Sequence, residues 1–197
     1  MTRRTTTVLF SLVIFASPLT ASAFDEAAVI NPAALTNVQS VFVAPVVLEL
    51  PEAANRFDRR SGQPRAVAPR DAETKAIDLA AVLKRGFAKE FTLADGPGPG
   101  VLVVTPTLLS LESSRPTLAD YNREPGLSFE SVFAGGATLS IRMERDGEEV
   151  ATIKDRYQGN FGDGSMRIGV WQDTDRAFQL WSRQVPSWVE QPQAASH

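Results

Sequence analysis

One alternating segment in the last third of the chain constrains the fold most strongly. From Ala137 to Arg145 apolar and polar residues alternate, which is the period of a strand with one buried face. Asp146-Gly147 follows directly, and this dipeptide is typical of two-residue hairpin turns. Residues 149–157 are therefore predicted to return antiparallel, so that the domain contains a hairpin whose apolar face needs a cover.

Two further apolar segments predict strands. Val38–Leu50 is rich in valine, as expected for a strand buried on both faces, and Val101–Glu112 has a similar character. Each segment contains one proline, Pro45 in the first and Pro106 in the second. Because proline lacks the N–H that a ladder needs, we expect an interruption or bulge at both positions.

Two segments have the period of an amphipathic helix. The first begins with Asp71 as N-cap and Glu73 in its first turn. The second begins at Asp173 or Thr174, and Pro186 is expected to kink it or to mark its last turn. The predicted apolar stripes are, for the first helix, Ala76, Leu79, Ala80, Leu83, Phe87 and Phe91, and for the second, Ala177, Phe178, Trp181, Val185, Trp188 and Val189.

These elements predict an α+β fold. They give one mixed, mainly antiparallel four-stranded sheet in β-α-β-β-β-α order, with two helices packed on one face. Residues 24–191 are expected to form a single domain with long loops at 51–70 and 113–131, and residues 192–197 a disordered tail.

The first 23 residues have the features of a cleaved secretory signal peptide. Arg3 and Arg4 precede an apolar run from Val8 to Ala16, and Ala21-Ser22-Ala23 suits cleavage before Phe24. The apolar run is too short to cross a hydrocarbon core of about 30 Å as a permanent helix. We therefore expect a periplasmic or secreted protein without a transmembrane span after cleavage.

Composition excludes several kinds of chemistry. The chain has no cysteine, and its only histidine is the last residue, His197. Disulfides, a cysteine nucleophile, thiolate-bound zinc and a Ser-His-Asp triad are excluded on these grounds, and no cofactor or metal is expected. The formal net charge is −3 and becomes more negative by two when Arg3 and Arg4 leave with the signal, so no nucleic-acid partner is expected.

A glycine-rich segment precedes the last predicted helix. Gly159, Gly162, Gly164 and Gly169 match neither the dinucleotide nor the P-loop spacing, and no lysine follows them. Three nearby acidic residues would repel a phosphate: Asp163, Asp173 and Asp175. The segment is interpreted as a structural connection.

Seven residues in the two predicted loops are candidates for partner binding. In loop 51–70 the arginines outnumber the acidic residues Glu52 and Asp58, which favours an acidic envelope protein or an anionic lipid headgroup. Loop 113–131 contributes residue types that are enriched at binding interfaces. A solvated loop is the alternative in both cases. The candidates are Arg56, Arg59, Arg60 and Arg65 in the first loop, and Arg115, Tyr121 and Arg123 in the second.

Carboxylate pairs leave a second class of function open, a hydrolase acting on an envelope glycan. Such pairs equally suit the first turn of a helix or a solvated hairpin. They are Asp71 with Glu73, Glu148 with Glu149, and Asp173 with Asp175. A purely structural envelope protein is a third hypothesis.

The segments "VFVAPVVLEL", "AIDLAAVLKRGFAKEF", "DGPGPGVLVVTPTLLSLESSRP", "GGATLSIRMERDGEEVATIKDRY" and "DTDRAFQLWSRQV" carry a family resemblance. Together they resemble domain-of-unknown-function family 3313, a family of exported bacterial proteins, mostly lipoproteins. The resemblance implies an envelope protein without assigned activity or catalytic residues. This chain departs from the family pattern because it lacks the lipobox cysteine. The sequence thus favours an exported, non-catalytic binding or accessory module of the cell envelope.

Overall fold

Seven strands and four helices are present in the part of the chain that the structure, a computed structural model, describes. That part comprises residues 23–51, 67–123, 126, 134–160 and 169–191, with only the backbone of Ala119, Tyr121 and Arg123. The strands are β1 (Glu26–Val29), β2 (Ser40–Val43), β3 (Val47–Leu48), β4 (Thr92–Leu93), β5 (Leu102–Glu112), β6 (Gly136–Arg145) and β7 (Glu148–Gln158). The helices are α1 (Pro32–Leu35), α2 (Pro69–Phe87), α3 (Leu118–Arg123) and α4 (Gln172–Glu190).

All seven strands belong to one mixed sheet in the order β1-β7-β6-β5-β2-β4, with β3 also beside β5. The pairs β1–β7, β5–β6 and β6–β7 are antiparallel, while β2 and β3 run parallel to β5, and β4 runs parallel to β2. The α+β class and the mixed sheet are confirmed. The predicted number of four strands is wrong, although the order β-α-β-β-β-α is contained in the larger arrangement.

The strands that sequence patterns did not reveal lie at the two edges of the sheet. In β1, Ala27 and Ala28 are exposed and small, so the strand has no apolar alternation to detect. At the other edge β4 has only two residues. The two extra helices are also short, with four and six residues, which is too little for a periodic signal.

The two strand prolines have different effects on the sheet. Pro45 separates β2 from β3, so the predicted interruption is confirmed there. Pro106 lies inside an unbroken β5, and the predicted interruption is wrong. The N–H of Ala44 donates to the carbonyl oxygen of Val104, and the N–H of Glu49 donates to that of Leu108. The backbone of Pro106, midway between Val104 and Leu108, therefore faces the segment between Ala44 and Glu49. Its missing N–H therefore points at the gap around Pro45, where no ladder bond is lost.

The predicted hairpin is confirmed and forms the centre of the sheet. Asp146 and Gly147 have φ of 54° and 84°, as a two-residue type I′ turn requires. The apolar residues of the alternating segment are all buried on the face that the helices cover: Ala137, Leu139, Ile141 and Met143.

The two long helices pack their predicted apolar stripes against this face, but both begin earlier than expected. The N-caps are Ala68 and Trp171, and neither makes a side-chain cap bond. The predicted N-cap Asp71 lies in the first turn of α2, and Asp173 and Thr174 lie in the first turn of α4, where both are buried. Helix α2 thus includes Pro69 and Arg70, which were assigned to the preceding loop.

A backbone-to-backbone contact brings α2 and α4 together. Pro186 lies inside α4 and has no N–H, so the carbonyl of Ser182 has no helical donor one turn later. That carbonyl instead packs against Gly86 of α2. A Cβ at Gly86 would lie 1.9 Å from the carbonyl oxygen, so only glycine fits.

We expect Gly86→Ala to lower the free energy of unfolding by about 1–3 kcal/mol or more, because the added methyl group must push the two helices apart. Urea denaturation followed by circular dichroism measures the change. Gly96→Ala is the matched control, because a Cβ there has no neighbour within 4 Å, and we expect it to stay within about 0.5 kcal/mol of wild type. Equal stability of the two variants would contradict the close contact.

Candidate functional site

A groove with a volume of about 580 Å³ lies between the first half of α4 and the end of β7. We call it the α4 groove. Tyr157 of β7 forms one wall, and Arg176, Leu180 and Arg183 of α4 form the other. Leu180 is 37% exposed, although the adjacent Trp181 is fully buried. The groove therefore combines an aromatic ring, an exposed aliphatic side chain and two guanidinium groups, which are residue types that occur at binding sites.

One buried carboxylate holds the two walls of the α4 groove together. The indole N–H of Trp181 donates to Asp155 Oδ2 over 2.6 Å, which joins α4 to β7. The other oxygen of Asp155 accepts the N–H of Asp25 over 3.1 Å, and the carboxylate of Asp25 accepts the N–H of Arg156 over 2.9 Å. Phe24 packs edge-on against Trp188 in the same region. The segment before β1 is thus fastened to both β7 and α4.

A second buried carboxylate fixes the beginning of α4. Asp173 is fully buried, and its Oδ2 accepts from the hydroxyl of Ser114 at 3.0 Å and from the N–H of Gly135 at 3.3 Å. Ser114 Oγ in turn accepts the N–H of Asp173 at 3.1 Å. Because Trp171 provides no side-chain cap, Ser114 acts as a cap from a distant part of the chain and satisfies one of the free N–H groups of the first turn.

Two neighbours complete this polar contact. The hydroxyl of Thr174 lies 3.1 Å from the carbonyl oxygen of Glu112 and 3.0 Å from that of Gly136, and donates to one of them. Gly159 leaves room for the Asp173 carboxylate, since a Cβ there would lie 2.4 Å from its carboxyl carbon. Among the glycines of the predicted connection, Gly159 therefore has a packing role, while Gly162 and Gly164 lie outside the described residues.

Replacing Asp173 by alanine should lower the free energy of unfolding by about 2–3 kcal/mol, because the N–H of Gly135 and the hydroxyl of Ser114 lose a charged acceptor. Thermal and urea denaturation measure the effect. The exposed Asp95 is the matched control, and Asp95→Ala should change stability by less than about 0.5 kcal/mol. A small effect of the Asp173 substitution would show that this carboxylate does not fix α4.

A buried lysine links the two helices beside the α4 groove. Lys75 of α2 is 7% exposed, and its Nζ lies 2.6 Å from Asp78 Oδ2 and 2.9 Å from Asp175 Oδ1. Burial by itself lowers the pKa of Lys75, but the hydrogen bonds that its ammonium group donates to Asp175 and Asp78 outweigh it, so the pKa lies above its usual value. Asp175, which also lines the α4 groove, is thereby engaged by an internal cation.

The stability that comes from Lys75 should depend on pH in the alkaline range. Because its pKa is raised on folding, this contribution is fully present below the ordinary lysine value of about 10.4 and is lost as the pH rises above that value through the folded-state pKa. We expect the difference in unfolding free energy between wild type and Lys75→Met to shrink over this range. Lys84→Met, at an exposed position of the same helix, is the matched control and should change the unfolding free energy by less than about 0.5 kcal/mol. A constant difference for Lys75→Met would contradict the coupling.

The residues predicted to bind a partner are not among the described residues that line the α4 groove. Arg56, Arg59, Arg60 and Arg65 lie outside the described residues, so their role stays a prediction. Tyr121 and Arg123 belong to α3, of which only the backbone is described at these positions, and Arg115 is half-buried.

The expected exposed loop at 113–131 needs correction over its first part. Ser113, Ser114, Thr117 and Asp120 are buried, and residues 118–123 form α3. The carboxylate of Asp120 accepts from both the N–H and the hydroxyl of Thr117, at 2.9 and 2.8 Å. Short polar side chains that hydrogen-bond to one another in this way can be buried, although their polar sequence predicts an exposed loop.

Sequence patterns missed the residues of the α4 groove. Arg176, Leu180 and Arg183 lie opposite the apolar stripe of α4, where a polar face is ordinary. The only available signal is Leu180, a large apolar residue outside the stripe. Tyr157 was predicted only as the end of a strand.

The carboxylate pairs that suggested a hydrolase have other positions here. Asp173 is buried, whereas the side chain of Asp175 is 55% exposed and bonds to Lys75, so the two do not converge. Glu73 of α2 and the hairpin residues Glu148 and Glu149 are exposed. Across the described ranges, no group of three metal-ligating side chains could hold an ion, and no described helix is long and apolar enough to cross a membrane.

The fold defines an α+β protein in which two long helices cover one face of a mixed sheet and a groove opens beside α4. The family described as "Protein of unknown function (DUF3313)" matches residues 18–185. The chain belongs to this family, as its sequence resemblance implied. No curated protein matches the chain.

Solved structures that are similar to the chain include the following three. Protein XCC0632 from Xanthomonas campestris, of family DUF330, has a TM-score of 0.43 at 13% identity and covers 76% of this chain and 82% of its own. The PelC dodecamer from Paraburkholderia phytofirmans has a TM-score of 0.39 at 11% identity, covering 74% and 85%. The hypothetical protein CT253 from Chlamydia trachomatis has a TM-score of 0.40 at 12% identity, covering 77% and 98%.

Proposed function

We propose that this protein is an exported, non-catalytic binding or accessory module that engages another component of the cell envelope through the α4 groove. Arg183 carries the proposal. It is exposed at the groove, and among the described residues it has neither an ion-pair partner nor a hydrogen-bond partner. The buried Lys75, by contrast, is paired twice within the fold. A cation left unpaired beside an exposed leucine and a tyrosine suits recognition of a partner.

The predicted amino-terminal signal peptide supports export, and the residue types in the groove support binding without chemistry. The groove contains Tyr157, Gln172 and Gln179, but its described lining has no nucleophile next to a general base. Its one carboxylate, Asp175, is held by Lys75. The basic residues of the predicted loop 51–70, which are Arg56, Arg59, Arg60 and Arg65, are proposed as a second binding surface, for an acidic protein or for anionic lipid headgroups.

Arg183→Glu should remove the partners that cross-link to the wild-type protein in its native host, because the substitution reverses the charge at the groove. Tagged protein is recovered from separated periplasmic and envelope fractions after cross-linking, and its partners are identified by mass spectrometry. Recovery in these fractions also tests export, since a protein that stays in the cytoplasm contradicts it.

Arg85→Glu is the matched control, since Arg85 is an exposed arginine of α2 outside the groove, and its partners should equal those of wild type. The triple substitution of Arg56, Arg59 and Arg60 by glutamate tests the basic segment separately. Equal partner sets for wild type and Arg183→Glu would reject the groove as the binding surface. Equal sets for wild type and the triple variant would reject the basic segment.

A further inference from the structure

The outer edge of β7 is only partly covered by its neighbour. Strand β1 pairs with Ala151–Lys154, whereas β7 continues to Gln158. The carboxylate of Asp25 accepts the next outward N–H, that of Arg156, at 2.9 Å. Beyond this point the edge has no neighbouring strand among the described residues.

At the end of β7, every second residue points its backbone N–H and carbonyl away from β6, toward the uncovered edge. The N–H of Gly159 donates to Gly135 on the β6 side, at 2.8 Å, whereas that of Arg156 points to the β1 side. Because the direction alternates along a strand, the carbonyl of Arg156 and both backbone groups of Gln158 also point outward. None of these three groups has a partner in the described part of the chain. Unpaired edge groups of this kind are a template for another strand.

The open edge adjoins the α4 groove. Tyr157 lies between Arg156 and Gln158 along the strand and is also a wall of the groove. A chain segment that added to this edge would therefore direct every second side chain toward α4, where Leu180 and Arg183 are exposed. Backbone pairing and side-chain contacts would reinforce each other, as in other cases of recognition by strand addition.

The charges of the groove favour an acidic occupant. The residues one turn from Arg183 on α4 are Gln179, Leu180, Pro186 and Ser187, so no carboxylate of its own helix is close. Arg176 is 39% exposed at its side chain and lies 3.8 Å from Asp173. Arg176 and Arg183 are about 10 Å apart along the axis of α4. Two carboxylates that are two to four positions apart on an added strand are separated by about 7–13 Å, so the flexible arginine side chains can reach both.

We propose that the end of β7 accepts an extended, acidic segment of a partner protein as an additional strand, with its carboxylates at Arg183 and Arg176. This inference rests on the proposed function and names the class of partner and the mode of binding. Charge complementarity and the unpaired backbone select a peptide segment over a small anion, which would use the arginines alone.

The test uses ¹⁵N-labelled protein and three capped hexapeptides: EVEVEV, KVKVKV, and EVEVEV with alternate backbone nitrogens methylated. The N-methylated peptide keeps the carboxylates but loses the donors that strand pairing needs. We expect EVEVEV to shift the amide resonances of Tyr157 and Gln158, and the other two peptides to leave them unchanged. Arg183→Gln should weaken binding of EVEVEV by about fivefold, whereas Lys84→Gln on α2 should leave it unchanged.

Equal binding of the N-methylated peptide would overturn strand addition, and equal binding of KVKVKV would overturn the acidic preference. No shift at Gln158 with millimolar EVEVEV would overturn the site itself. Sedimentation of the free protein as a dimer whose Gln158 amide is already protected would assign the edge to a second copy instead. Each of these outcomes leaves the cross-linking experiment with Arg183→Glu unaffected, so the proposed function and this inference can fail separately.

Discussion

The arrangement of the whole candidate site depends on the buried carboxylate of Asp155. One of its oxygens accepts from Trp181 of α4 and the other from the N–H of Asp25, so a single side chain of β7 joins the helix layer to the segment that enters β1. A carboxylate removed from water is costly unless donors replace its hydration, and charge-assisted bonds are the strong ones. The bond from Trp181 joins α4 to β7 beside the α4 groove, and the bond from Asp25 fastens the segment before β1 to the same strand.

The polar residues of this region divide into those that the fold uses and those that it leaves exposed. Asp173 fastens the start of α4 to Ser114 and Gly135, and Lys75 holds Asp175 beside α2. The charged groups of Asp173 and Lys75 are of types that could act in catalysis, but their hydrogen bonds stabilise the fold. Arg183 has no such partner among the described residues. Since unpaired exposed charge contributes little to stability, it is the better indication of binding.

The sequence predicted those features that depend on neighbouring residues. The hairpin at Asp146-Gly147 followed from a local turn preference, and the apolar stripes of α2 and α4 from a period of 3.6 residues. The break at Pro45 was predictable, but the continuity through Pro106 was not, because it depends on which neighbour its missing N–H faces. The edge strand β1 was missed because its exposed alanines give no apolar alternation. The burial of Ser114 was missed because a serine in a polar segment predicts a loop, and only the tertiary structure shows the partner of its hydroxyl.

By itself the sequence determined the α+β class and the central hairpin, because short-range periodicity and turn chemistry carry that information. The membership of the DUF3313 family also comes from the sequence, through the resemblance of whole segments and the family match over residues 18–185. Only the tertiary structure decided which polar residues are buried and where a groove and an open strand edge meet. The contacts responsible join residues far apart in the chain: Ser114 and Asp173 are separated by 59 positions, and Asp25 and Asp155 by 130. No local pattern encodes such pairs, since each depends on how the sheet and helices are packed together.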